Sequence, residues 1–149
     1  MSELRRRLTL LVGLAVVCGS VIVGAPTLPA GASSWTTYSA QCSKWIDDIP
    51  KLDSYIIEDN SDGNRTALTA SIVAMYEDGK LIAACDTSPD AQLNSIARRW
   101  GAAIKDSGAY GYVWVTHDTT TNLLNFVSAE DNAKKYENQF ANRLAVLGR

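Results

Sequence analysis

Residues 35–56 read WTTYSAQCSKWIDDIPKLDSYI, and the fold turns on how this stretch is read. Its large apolar residues, Trp35, Tyr38, Cys42, Trp45, Ile49, Leu52 and Ile56, recur at spacings of 3, 4, 3, 4, 3 and 4. A strand alternates with period two, so such a set shares one face only on a helix. Pro50 interrupts the stretch, because its nitrogen cannot bond to the carbonyl of Ile46. The spacing predicts a helix that kinks there, or one that breaks and restarts near Asp47 or Asp48. The apolar phase passes through the proline unchanged, which favours the kink.

Three further stretches downstream carry the same 3/4 pattern. Glu58-Asp59-Asn60-Ser61-Asp62-Gly63 ends the first helix, and Asn64 can cap a second that carries Leu68, Ile72, Met75, Gly79 and Ile82. Asp78-Gly79 also offers a two-residue hairpin turn between residues 72–77 and 80–85. Alanines at 67, 70, 74, 83 and 84 and the lack of clean alternation favour the helix. Ser88-Pro89-Asp90 marks the next start, with serine as cap and proline at the first helical position. The third stripe reads Leu93, Ile96, Trp100, Ala103, Ser107, Tyr110, Trp114 and His117, and Gly108 and Gly111 weaken it. Residues 112–116 alone would pass for a strand, but an isolated strand has no partner. Thr119 to Thr121 can cap a fourth helix, whose face is Leu123, Phe126, Ala129, Ala133, Tyr136, Phe140, Leu144 and Leu147, with Gly148 as the stop.

These four amphipathic segments with short connections predict an all-α fold, an up-down-up-down four-helix bundle. The cysteines offer a check. In a hairpin of helices turning near residue 62, residues at one level have numbers summing to about 124. Cys42 and Cys85 miss that by less than one turn, so an intramolecular Cys42–Cys85 disulfide is expected near the end away from the turn. The same arithmetic predicts one layer of Trp45, Ile82, Trp100 and either Tyr136 or Phe140. A second layer is expected from Ile56, Leu68, Trp114 and Leu123.

The first 32 residues belong to a different part of the reading. Arg5, Arg6 and Arg7 precede an apolar run from Leu8 to Ala25, and Ala30-Gly31-Ala32 presents small residues as a signal peptidase requires. Residues 1–32 are therefore expected to be a signal peptide cleaved after Ala32, leaving one helical domain, 33–149. An uncleaved anchor is the alternative, and it would be the chain's one contact with a membrane. Val17 before Cys18 argues against a lipoprotein. Either way the domain is exported, to the cell envelope or the extracellular space, where a cysteine pair oxidises. Asn64-Arg65-Thr66 is a glycosylation sequon only in a eukaryotic host.

The 149-residue chain is 46% hydrophobic and 20% charged, the composition of an ordinary globular domain. Without the leader the net charge falls from −2 to about −4, which argues against a nucleic-acid partner. No nucleophile elbow, His-Glu-x-x-His helix or Cys-x-x-Cys pair is present. His117 is the single histidine, and its neighbour Asp118 points about 100° away on a helix, so adjacency makes no dyad. Zinc lacks ligands, and the acidic turn at 59–64 fails the EF-hand pattern at its glycine and at Ser71. The pairs Asp47-Asp48, Glu58-Asp59, Glu77-Asp78 and Glu130-Asp131 are expected on solvated faces.

The aromatic residues remain as candidates. Trp45, Trp100, Tyr110, Trp114, Tyr136 and Phe140, with His117, fall on inward stripes and are expected to pack the core. They would otherwise line an interhelix pocket for a lipid or a haem. Small residues on the third helix, Ala103, Ser107, Gly108 and Gly111, either accept those rings or leave space beside them. The function expected is thus a non-enzymatic binding or interaction module whose partner is another envelope or extracellular protein. No metal or cofactor is expected, haem being the one such a pocket would admit. A carrier of a hydrophobic ligand is the alternative, and a secreted hydrolase the second.

Overall fold

A computed structural model describes residues 34–149, in which the chain forms four helices and no strand. These are α1 (Trp35–Ser61), α2 (Arg65–Ala83), α3 (Ala91–Thr116) and α4 (Thr120–Val146). The signal peptide, its cleavage after Ala32 and Cys18 lie outside the described residues. Side chains that accept from the first helical turn set the starts. Ser34 accepts from the Thr37 N–H at 3.1 Å, Asn64 from Ala67 at 3.2 Å and Thr119 from Asn122 at 3.2 Å. Gly63 has φ of +67°, the left-handed conformation that lets the chain turn between α1 and α2.

The start of α3 differs from expectation. Asp90, not Ser88, is its N-cap, accepting from the Leu93 N–H at 2.6 Å, so Pro89 lies before the helix. Ser88 is buried and shapes the preceding turn, where its Oγ accepts from the Asp90 N–H at 3.2 Å. The carboxylate is the stronger acceptor for a helix terminus, and here a cation supports it as well. Arg143 of α4 donates through Nε at 3.0 Å and Nη2 at 2.5 Å, one bond to each oxygen of Asp90. The two hydrogen bonds from Arg143, ahead of the one from the Leu93 N–H, hold the Asp90 carboxyl below the usual range.

The hairpin alternative for 72–85 does not form, since α2 runs unbroken through Asp78-Gly79. Gly79 is a contact rather than a weakness. A Cβ placed on it would come within 2.5 Å of the Lys105 backbone nitrogen, and one on Gly108 within 2.7 Å of the Tyr76 nitrogen. A Cβ on Gly101 would collide with the backbone of Ala83. These glycines let α2 and α3 touch backbone to backbone, closer than side chains otherwise allow. Gly111 instead receives the Phe126 ring and Ile72. α1 likewise continues through Pro50 as one helix.

Cys42 and Cys85 lie at disulfide distance, with Cα atoms 5.8 Å apart. Leu52, Leu68, Ile72, Met75, Ile82, Leu93 and Ile104 are fully buried and form the centre of the core. Consecutive helices meet at definite partners. Asp59 meets Ser71 across α1 and α2, Tyr76 meets Gly108 across α2 and α3, and Trp100 meets Phe140 across α3 and α4. α2 packs on α1 and α3, and α3 on α4, but no Cα of α1 comes within 8 Å of one in α4.

Three inward assignments do not hold, and one of them is His117, which lies exposed at the end of α3. Leu123 is 37% exposed, and Phe126 takes its place against Trp114, with centroids 5.4 Å apart and rings 11° from parallel. Phe126, Ala133 and Phe140, seven apart, set the buried line of α4, and Leu123 lies off it in the first turn. Tyr110 is 48% exposed, because Gly111 and Gly108 occupy the positions of α3 that face its neighbours.

Candidate functional site

The inward face of the bundle carries carboxylates. Asp48 and Asp78 are 5% and 7% exposed, so they do not lie on solvated faces. Each sits three residues after one stripe member and four before the next, Trp45 and Leu52 for Asp48, Met75 and Ile82 for Asp78. Lys51 forms an ion pair with Asp48 at 3.1 Å. Glu130 follows the same rule, four residues after Phe126 and three before Ala133, and is half-buried. This spacing was the available signal, and charge alone hid it.

Glu130 accepts a short hydrogen bond from the hydroxyl of Ser107, which is itself fully buried and 3.7 Å from the Met75 sulfur. Asp53 of α1, Lys134 and Glu137 gather beside it around a small cavity walled by Ile49, Met75, Trp100 and Ile104. Lys134 pairs with Glu137 at 2.7 Å. Burial first, and the Asp53 charge second, push the Glu130 carboxyl up to about 7. Burial also raises Asp53, against the pull of Lys134. Three acids thus share one lysine where α1 and α4 stand apart.

Chemically this cluster can hold and release a proton near neutral pH. The cavity measures about 20 Å³, room for about one water molecule and far below the 300–1,000 Å³ of a typical ligand pocket. Among the described residues no three metal-ligating side chains converge on a site.

The aromatic residues named from the sequence occupy several places. Trp100 and Phe140 come together, with centroids 5.1 Å apart. Trp114 stacks on Phe126, about 21 Å further along α3. Trp45 is half-buried under the Lys44 ammonium, 4.3 Å from its ring, and Tyr136 is half-buried with Lys135 at 5.9 Å. His117 ends α3 on the surface, its Nδ1 3.1 Å from the Thr116 hydroxyl, while Asp118 is paired instead with Arg65. No single pocket is lined by all seven.

The surface has its own apolar feature. Tyr112 and Val113 near the end of α3 are 49% and 44% exposed, and Leu124 and Val127 near the start of α4 are 62% and 45% exposed. Leu123 joins them. The Trp114–Phe126 stack places both segments at the same end of the structure.

No protein-family model, curated protein or solved structure matches this chain.

Proposed function

We propose that the chain is an exported, disulfide-stapled interaction module that docks an envelope or extracellular protein through the exposed apolar residues at the α3–α4 end. The observation that carries this reading is the exposure of Tyr112, Val113, Leu123, Leu124 and Val127 at one end. Large apolar side chains grouped on a surface are the usual mark of a protein contact. The carrier reading has less support, because the buried cavity is about 20 Å³, too small for a lipid or a haem. The hydrolase reading would want a carboxylate beside His117, and Asp118 is engaged by Arg65.

Export follows from the leader and its Ala-Gly-Ala site. The cysteine pair at disulfide distance is compatible with an oxidising compartment, and among the described residues no helix is long and apolar enough to cross a membrane. The fold in this reading is an up-down-up-down bundle. It is supported by partner numbers that rise along one helix as they fall along the next, as in Trp100–Phe140 and Trp114–Phe126.

A photo-crosslinking amino acid placed at Leu124, in the organism that makes the protein, tests the docking surface. A discrete protein adduct is expected from position 124, lost when Val127→Asp is added and absent when the probe sits at exposed Asn142. Adducts equal from all three, or none from position 124 in correctly exported protein, would refute it.

A further inference from the structure

We propose that the groove between α3 and α4 is a binding site for a neutral saccharide, distinct from the apolar docking residues. The groove is open to solvent and holds about 410 Å³, the size of a site for one or two sugar rings. Asp106 and Tyr110 of α3 line one side, and Asn125, Ser128 and Asn132 of α4 line the other. The space exists because two small residues, Ala103 and Ala129, lie deepest between the helices, where larger side chains would close it.

The five polar side chains are exposed to solvent. Among the described residues, none of these five makes a side-chain hydrogen bond or ion pair with another protein group. Ser43, Ser54, Thr69 and Thr116 bond back to the preceding turn of their helices, whereas Ser39, Ser95 and Ser128 make no such bond. Five polar groups therefore face one concave space with their bonding capacity free for a ligand.

Their chemistry selects the ligand class. An ionised Asp accepts from two hydroxyls, each Asn amide both donates and accepts, and Ser does either, which matches the mixed donors and acceptors of a sugar. Tyr110, 48% exposed, offers a ring face for the C–H side of a pyranose and a hydroxyl at its tip. No lysine or arginine lines the groove, so an anionic ligand would meet only Asp106. Two alanines supply too little apolar wall for a lipid.

The test is a backbone-amide NMR titration of the exported protein with chitotriose and maltotriose, and with spermidine as a cationic probe. Amides of 103–110 and 125–132 are expected to shift with a saccharide, at millimolar affinity and without loss in about 0.5 M salt. Tyr110→Ala and Asn132→Ala, both at exposed positions, are expected to weaken binding about tenfold or more, with the remaining spectrum unchanged as the control for folding. Silence from both saccharides, shifts unaffected by either substitution, or a salt-sensitive response to spermidine alone would overturn the proposal.

Discussion

Replacing Glu130 by glutamine should stabilise the protein at neutral and alkaline pH. In the folded chain the Glu130 carboxyl titrates at about 7 against an ordinary 4.5, so the folded state holds this proton more tightly than the unfolded state does. Its effect on stability is therefore most favourable below about pH 4.5, falls as pH rises through 7, and is flat above that. Each tenfold change in proton affinity is about 1.4 kcal/mol, giving about 3 kcal/mol if undiminished and about 2 kcal/mol after allowing for partial solvent screening. Asp53, also raised by burial, acts in the same direction. Asp90 is lowered by Arg143, and its contribution is lost only as pH falls below the usual carboxylate range, outside this window.

Glutamine keeps the shape and can still accept from Ser107 without adding a third negative charge beside Asp53 and Glu137. Urea unfolding followed by circular dichroism at pH 5, 6, 7 and 8, with the disulfide intact, should show the native chain weakening across the series. Glu130→Gln should fall less steeply, keeping only the Asp53 contribution, and exceed it by about 2 kcal/mol at pH 8, or about 8 °C in Tm. At pH 5 the two should nearly coincide. A native chain whose stability is constant or rises from pH 5 to 8, or a variant no more stable at pH 8, would refute the account of this cluster.

Two structural predictions follow from the packing. Gly101→Ala would favour the helix by about 1 kcal/mol at an exposed site, yet here the new Cβ meets the Ala83 backbone, and a net loss of about 2 kcal/mol is expected in the same unfolding assay. Reducing the Cys42–Cys85 pair, or replacing both residues by serine, opens a loop spanning 43 residues and should lower stability by about 4 kcal/mol on the chain-entropy model, read as a shift in urea midpoint with and without reductant. A midpoint unmoved by reductant would show that the pair is not bonded in solution.

The four helices were legible because each carries a 3/4 stripe of its own, supported by a capping side chain at Asn64 and Thr119 and by a glycine after α1 and α4. The cysteine pairing was legible too, since a hairpin of known rise per residue fixes which numbers meet. At α3 the local pattern offered two acceptors two residues apart, and the sequence favoured Ser88. Arg143, 53 positions away, supports Asp90 instead.

What only the tertiary structure decided depends on the neighbour each face receives. Gly79 and Gly108 read as weak points in their helices because propensity counts a missing side chain as a loss; against a second backbone the same absence is what permits contact, there and at Gly101. Asp48, Asp78 and Glu130 read as solvated charge because charge usually is, although their spacing already placed them on the inward line. The stretch at 35–56 determined by itself that α1 is a helix and which face it buries. That Asp53, on that helix, shares a cavity with acids more than 70 residues away was decided by where α4 lies, and no local pattern encodes it.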